Sequence, residues 1–158
     1  MSGSGTMWLR AGAVALVVLV LDQLTKGLVR ADVAVGEKNE VLPFLDIGHV
    51  HNDGVAFGFL GGGGAIVLVV TFAALALLVG FFARNPTRPL LWLPTGMLLG
   101  GAIGNLVDRI RQGYVTDFIE FPHWPSFNVA DIAITCGVIV LVVVLEFGHG
   151  RTAAAGSR

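Results

Sequence analysis

Two aspartates late in the chain lie beside long apolar runs, where an ionisable side chain is costly to place. Asp117 falls in the stretch Val115–Phe118, and Asp131 closes the stretch Phe127–Asp131, where a long apolar run begins. Ionisable residues next to hydrocarbon are functional-site candidates by default. If both aspartates face one membrane surface, repulsion leaves a single proton on the pair, and such a pair can activate water.

Hydrolysis of a peptide bond is the chemistry expected of such a pair. The ionised carboxylate takes a proton from a trapped water, and the protonated one donates to the peptide carbonyl as the tetrahedral species forms. The pair titrates as a unit, so neither role is assigned to Asp117 or Asp131 alone. Asn105 and Asn128 are neutral donors suited to orienting a carboxylate or binding substrate backbone. Taken singly, Asn128 or Asp131 is equally a helix N-cap.

Other charged residues favour structural roles. Asp108 lies beside Arg109 and Arg111, and this spacing favours a structural ion pair. Asp22 and Lys26 are four residues apart, so on a helix they pair with each other near the outer interface, in a structural or substrate-orienting role.

Neither the histidines nor the cysteine predicts a metal site. His49 and His51 alternate on a predicted strand, but no third ligand is spaced to join them, so they are interpreted as surface histidines. The single cysteine, Cys136, excludes an internal disulfide or a cysteine metal cluster, and it is predicted to be a small buried hydrophobe. No metal and no cofactor are expected.

The composition indicates an integral membrane protein. Of 158 residues, 54% are hydrophobic and 13% are charged, whereas a soluble domain carries about 25% charged residues. The length allows one domain, residues 1–158. The net charge of −1 gives no basic surface for nucleic acid.

Four segments reach the length of about 20 apolar residues that a membrane-spanning helix needs. They are residues 8–29, 65–83, 90–107 and 127–145. The first is too long for a cleaved signal peptide, and residues 1–7 are expected to be a flexible leader or to precede an alternative start at Met7. Gly96, Gly100 and Gly104 recur at intervals of four and predict a flat face for close helix packing in lipid.

The distribution of lysine and arginine predicts the orientation of the spans. Arg84 and Arg88 lie in a short connection without acid, whereas the loop 30–64 is acidic. Both termini are therefore placed in the cytoplasm, and the loop 30–64 outside. Within that loop, strand-like runs at 41–47 and 55–60 are separated by Asn52–Gly54, a sequence typical of a hairpin turn. A small antiparallel ribbon on the outer membrane surface is expected.

Five ordered motifs resemble those of the bacterial lipoprotein signal peptidases, the aspartic signal peptidase II family, over roughly residues 8–147. The motifs are Leu21–Lys26, Asn52–Phe57, Gly101–Arg109, Val115–Ile119 and Phe127–Asp131. The resemblance implies an all-α membrane protein, a four-transmembrane-helix bundle with a small extracytoplasmic β-cradle and a short amphipathic helix. Val55 and Thr116 depart mildly from the family pattern and leave the aspartates untouched.

The resemblance also implies an activity. The chain would be an intramembrane aspartic endopeptidase that removes signal peptides from diacylglyceryl-modified prolipoproteins, cutting N-terminal to the lipidated cysteine. Asp117 and Asp131 match the catalytic aspartates, and no metal is required. The supporting polar positions are Asn52, Asn105, Asp108, Arg109, Asn128 and Asp22. The implied location is the bacterial cytoplasmic (inner) membrane, where the chain crosses the bilayer several times and is surrounded by lipid. The active site is expected near the extracytoplasmic face. Because one chain carries a complete site, a monomer is favoured.

A small proton-coupled membrane transporter is the alternative, with Asp22, Asp108 and Asp131 as relay carboxylates. Such transporters carry acids near the midplane and often contain internal repeats, whereas here the acids cluster at one face and no inverted repeat is visible. A non-catalytic assembly factor, packed through the Gly96 face, leaves the five polar motifs unexplained.

Overall fold

Four helices and one three-stranded sheet make up the residues that the computed structural model describes, namely 3–54, 63–85 and 88–153. The helices are α1 (Gly3–Asp32), α2 (Gly63–Arg84), α3 (Trp92–Gln112) and α4 (Val129–Ala153). The strands are β1 (Lys38–Leu42) and β2 (Leu45–Asn52), which follow α1, and β3 (Val115–Glu120), which lies between α3 and α4.

A helix overlaps each of the predicted spans. Both α1 and α4 are long and apolar enough to cross a membrane, and the apolar part of α2, Leu68–Arg84, is shorter. Large apolar side chains on these helices are exposed, for example Leu28 at 63% and Leu77 at 75%. Since α1 begins at Gly3, the expected flexible leader is wrong for residues 3–7.

Among the described helices, α3 packs against all three others. Its glycines allow a close approach to α1. A side-chain carbon added at Gly96 would lie 2.6 Å from the carbonyl oxygen of Ala11, and one added at Gly100 would lie 2.6 Å from that of Ala15. No side chain tolerates such distances, so the two helices approach to a separation that only glycine permits. The predicted packing face is confirmed.

The sheet places β2 between β1 and β3, with both pairings antiparallel. The single strand predicted over 41–47 is wrong, because the chain reverses between Leu42 and Leu45. Pro43 explains the difference, since its fixed φ and missing N–H interrupt a strand whose apolar pattern otherwise continues. Asn52 ends β2, and the run 55–60 that would complete the predicted hairpin lies outside the described residues.

The sheet is attached to the bundle at the end of α1. Val29 and Val33 are buried against Phe118 of β3. Gly113 caps α3 with a φ of 85°, in the left-handed region that favours glycine, and turns the chain into β3. Together these features hold Asp117, the neighbour of Phe118, where the sheet meets the helices.

Candidate active site

Asp117 on β3 is almost fully buried, with 2% of its surface exposed. One carboxylate oxygen accepts a hydrogen bond from Asn52 Nδ2 at 2.8 Å, and the other accepts from Asn128 Nδ2 at 2.6 Å. Asn52 is the last residue of β2, and Asn128 immediately precedes α4. Two paired strands and the start of a helix therefore converge on one carboxyl group.

Asp131 lies in the first turn of α4. Its Oδ1 accepts from Asn105 Nδ2 at 2.9 Å, and its Oδ2 accepts from the backbone N–H of Asn128 at 3.2 Å. In return, Asn128 Oδ1 accepts from the backbone N–H of Asp131 at 3.1 Å. This reciprocal arrangement is a capping box, which satisfies N–H groups that a helix start otherwise leaves unpaired.

Asn128 therefore contacts both aspartates, Asp117 through its side-chain amide and Asp131 through its backbone. Its Nδ2 also donates to Asn105 Oδ1 at 3.2 Å. The structure brings Asp117 and Asp131 into one polar cluster, with Asn105 and Asn128 as neutral donors. A helix cap and a two-aspartate site are not alternatives here, because the same residue serves both.

Lys26 lies beneath this cluster and is fully buried. Its Nζ donates to Asn105 Oδ1 at 2.8 Å, and it pairs with Asp22 at 2.9 Å and with Asp108 at 3.0 Å. All three ammonium protons thus have an acceptor, as burial of a charge requires. The predicted pairing of Asp22 with Lys26 is confirmed. Because Asn105 turns its oxygen toward Lys26, its NH₂ group faces Asp131.

The two acids that bind Lys26 also hold the backbone of the site. Asp22 Oδ1 accepts from the N–H of Ala130 at 3.0 Å, and Asp108 Oδ2 accepts from the N–H of Thr116 at 3.2 Å. Each of these N–H groups belongs to the residue immediately before a candidate catalytic aspartate. We call this set the buried fork, and it consists of Lys26, Asp22 and Asp108. The one ammonium group of Lys26 binds both acids, and each acid holds one of the two segments that carry an aspartate.

Asp108 does not pair with Arg109 and Arg111 as predicted. Its ionic partners are on α1, Lys26 at 3.0 Å and Arg30 at 3.7 Å. The reason is that α1 packs on the face of α3 that carries Asp108 and brings these two cations to it. Arg109 is adjacent in the helix and points away from Asp108, whereas Arg111, at a spacing that would allow pairing, is exposed while Asp108 is buried.

Two further residues of the cluster, Gln23 and Arg30, are not among the predicted site residues, although Gln23 lies within the motif Leu21–Lys26. Gln23 Nε2 donates to Asp108 Oδ1 at 3.1 Å, and Arg30 donates to Thr116 Oγ1 at 3.1 Å. Helical spacing is the signal that points to Arg30, because it lies one turn beyond Lys26 on the same face of α1.

The environment of Asp117 favours its protonated form. Burial is the main cause and raises the pKa of Asp117 from 3.8 to about 6, with the nearby charge of Asp131 acting in the same direction. The hydrogen bonds from Asn52 and Asn128 oppose this effect, because they stabilise the carboxylate. Asp117 therefore retains a proton more readily than a carboxyl group in water.

Each aspartate borders a recess of different character. The cleft at Asp117 has a volume of about 260 Å³ and both polar and apolar walls, the others being Val50, His51, Asn52, Pro125 and Ser126. The apolar recess at Asp131 has a volume of about 290 Å³, and its other walls are Trp124, Phe127, Ile132, Thr135 and Cys136. Each recess therefore has one of the two aspartates in its wall, and the recess at Asp131 is the more apolar of the two.

Two predictions about single residues are wrong. His49, expected at the surface, is buried with its Nδ1 2.8 Å from the carbonyl oxygen of Val33. Cys136, expected to be buried, is exposed. In a membrane protein, the buried and the exposed faces of an apolar helix do not differ in polarity. The sequence therefore does not indicate whether Cys136 faces the other helices or the outside of the bundle. Across residues 3–54, 63–85 and 88–153, no group of three or more His, Cys, Asp or Glu side chains could hold a metal ion.

Comparison with known proteins gives concordant matches. The family model described as signal peptidase (SPase) II matches residues 14–147. A lipoprotein signal peptidase of Moorella thermoacetica is 45% identical over 132 residues, covering 80% of this chain and 86% of the relative. A lipoprotein signal peptidase of Halothermothrix orenii is 37% identical over 133 residues, covering 84% of this chain and 92% of the relative.

The likeness extends to the fold. A bacterial membrane enzyme, solved by the in meso method at 1.9 Å resolution, superposes with a TM-score of 0.80 at 34% sequence identity. The match covers 89% of this chain and 92% of that chain. These relatives give no support to the transporter alternative, since the two named by activity are peptidases.

Proposed function

The chain belongs to the signal peptidase II family, and we propose that Asp117 and Asp131 are the aspartates with which it cleaves signal peptides from prolipoproteins. The observation that carries the proposal is the double contact of Asn128, which donates to Asp117 at 2.6 Å and to Asp131 at 3.2 Å. Two carboxyl groups held by one residue are suited to sharing one proton, as aspartic peptidase chemistry requires.

In the proposed reaction the pair holds one proton, and the raised pKa of Asp117 favours that residue as its holder. The ionised carboxylate takes a proton from water while the water oxygen attacks the peptide carbonyl carbon. The protonated carboxyl group donates its proton to the carbonyl oxygen. When the tetrahedral species collapses, the C–N bond breaks, and the proton taken from water passes to the leaving amine. One hydroxyl group of the tetrahedral species returns its proton to the carboxylate that donated in the first step, so the new carboxylic acid forms and the pair again holds one proton.

The supporting residues act on the aspartates or on the substrate. Asn52 and Asn105 each donate to one aspartate, and the buried fork holds the segments that carry both. Within the described residues Arg109 makes one hydrogen bond, to the carbonyl oxygen of Asn105 at 3.4 Å. Its other N–H donors are therefore suited to a substrate carbonyl.

We place all four helices across the bacterial cytoplasmic membrane, with both termini in the cytoplasm, the sheet outside as a cradle, and the chain as a monomer. The length and apolarity of α1 and α4 support spanning, and a 68% exposed Trp124 beside the site suits the membrane interface. A lipid-modified peptide does not leave the bilayer readily, because each buried CH₂ contributes about 0.8 kcal/mol. A site at the outer membrane surface meets such a substrate where it lies.

The two recesses support this substrate class. A prolipoprotein has an apolar signal segment on one side of the scissile bond and a polar mature chain on the other side. The diacylglyceryl group adds a second apolar part. The cleft at Asp117, with polar walls such as Asn52 and Ser126, suits the mature chain, and the apolar recess at Asp131 suits an apolar part of the substrate.

The test is cleavage of a diacylglyceryl-modified prolipoprotein by purified enzyme carrying Asp117→Asn or Asp131→Asn. Each variant should lose nearly all activity and still melt cooperatively in lipid or detergent. Asp32→Asn is the matched control, because Asp32 is exposed at the end of α1 and lies outside the cluster. Full cleavage by either aspartate variant would rule out the pair.

A further inference from the structure

The apolar recess beside Asp131 has a chemistry that the two-aspartate site does not explain. It lies along the first turns of α4 and is also lined by the aromatic side chains of Trp124 and Phe127. Its walls extend from Asp131 to Cys136, a helical rise of about 7.5 Å. It is therefore a short, open apolar groove with a candidate catalytic carboxylate in its wall.

We propose that this recess binds an acyl chain of the substrate's diacylglyceryl group, an inference that rests on the proposed function. Asp131 is part of the recess wall, so a group bound in the recess lies next to the position proposed for the scissile bond. The diacylglyceryl group is attached to the residue directly after that bond. Its chains therefore begin within reach of the recess when the bond lies at the aspartates.

Hydrogen bonding favours an acyl chain over the peptide as the occupant. A peptide brings one N–H and one C=O group per residue, and each such group left unpaired in apolar surroundings is unfavourable. Apart from Asp131, the polar side chains of the recess are the Thr135 hydroxyl and the weakly polar Cys136 thiol. An acyl chain has no hydrogen-bonding group to satisfy.

The shape of the recess favours the same occupant. It is an open groove of about 290 Å³ on the surface of α4. A helical signal segment, with a diameter of about 10–12 Å, would cover such a groove without filling it, whereas a slender acyl chain can lie along its floor. Because lipid tails are as apolar as the recess, we expect it to orient the substrate more than to increase its affinity.

Cys136 is a built-in probe of occupancy, because it is exposed in the recess and is the one cysteine of the chain. The rate of maleimide labelling is measured on the Asp117→Asn enzyme in lipid nanodiscs. One sample receives a diacylglyceryl-modified prolipoprotein peptide, and a second receives the same peptide with serine replacing the lipidated cysteine. A third receives a diacylglycerol without peptide. We expect severalfold slower labelling with the first and an unchanged rate with the other two.

A matched control moves the thiol to another lipid-facing position. Leu28→Cys, in a Cys136→Ala background, places it on α1 at a side chain that is 63% exposed and outside the recess. Its labelling should not respond to any of the three additions. Equal protection of Cys136 by both peptides would assign the recess to the signal segment. The inference would be overturned by that result, by protection with free diacylglycerol alone, or by no protection at all.

Filling the recess gives a second measurement, made on the enzyme with both aspartates present. Ile132→Trp should lower kcat/KM for the lipid-modified substrate by about tenfold or more, because a displaced acyl chain misplaces the scissile bond. Leu28→Trp should leave it unchanged. If cleavage depends on both aspartates but Cys136 is not protected, the acyl-chain site fails and the proposed function stands. If Asp117→Asn still cleaves, the proposed function fails instead.

Discussion

The side-chain amide of Asn128 donates to the carboxylate of Asp117 at 2.6 Å, although one residue precedes a helix and the other lies on a strand. The same asparagine caps the helix that carries Asp131. The relative position of the two aspartates is therefore set at the junction of sheet and bundle.

Asn128→Ala should lower cleavage by about 100-fold or more, because misplaced catalytic groups are that costly. It should also lower the free energy of unfolding by about 1–3 kcal/mol, since a buried carboxylate loses a donor and α4 loses its cap. Cleavage rate and thermal melting measure the two effects. Asn39→Ala, on the exposed strand β1, should change neither. Normal cleavage by Asn128→Ala would show that the aspartates are positioned without it.

The raised pKa of Asp117 predicts a pH dependence of activity. The reaction needs one proton on the pair, so kcat/KM should fall on both sides of an optimum. The alkaline fall should begin near pH 6 in the free enzyme, where Asp117 loses its proton. A flat kcat/KM profile from strongly acid to strongly alkaline pH would contradict a shared proton.

The same shift predicts a pH dependence of stability. Because the folded chain binds the Asp117 proton more tightly, this contribution is complete below pH 3.8 and is lost as the pH rises through about 6. The loss amounts to about 3 kcal/mol. Asp117→Asn does not titrate, so its stability relative to the parent chain should rise by about that amount from pH 4 to pH 7. Parallel melting curves across this range measure the difference, and a constant difference would contradict the shift.

Lys26→Met should strongly destabilise the chain, because it leaves Asp22 and Asp108 buried without their central cation. Breaking a buried ion pair in this way costs about 3–5 kcal/mol. Adding Asp108→Asn should restore part of the melting temperature but not the cleavage, because the link to the Thr116 backbone stays weakened. Lys38→Met is the control, since Lys38 pairs with Asp46 at an exposed site, where ion pairs contribute little. Equal melting of the two single variants would contradict the role assigned to the fork.

Gly100→Ala should separate α1 from α3, because the added carbon meets the carbonyl oxygen of Ala15 at 2.6 Å. We expect a loss of about 1–3 kcal/mol in stability and reduced cleavage, since α1 carries Asp22 and Lys26. Gly12→Ala is the matched control, because nothing lies within 4 Å of a carbon added there. It should be neutral or slightly stabilising, as alanine favours helix more than glycine does. Purified variants are compared by melting and by cleavage rate.

The helices could be predicted from the sequence because apolarity over some twenty residues is a local property. The glycine face of α3 was equally visible, since its spacing alone indicates close packing. The pairing of Asp22 with Lys26 followed from a spacing of four on one helix.

The partner of Asp108 could not be predicted in this way. Its choice of Lys26 over Arg109 depends on which face of α3 meets α1, and that is a property of the assembled bundle. The exposure of Cys136 was hidden for a related reason, because a helix in lipid is apolar on its buried and its exposed sides alike. The convergence of Asn52 and Asn128 on Asp117 depends in turn on strand pairing between distant segments.

The capping box of α4 has a consequence for heating. Helix ends fray before a fold melts as a whole, and fraying of this end would release the carboxylate of Asp131 from the Asn128 backbone. Inactivation by heat is therefore expected at a lower temperature than global melting, and it should reverse on cooling for as long as the bundle remains assembled.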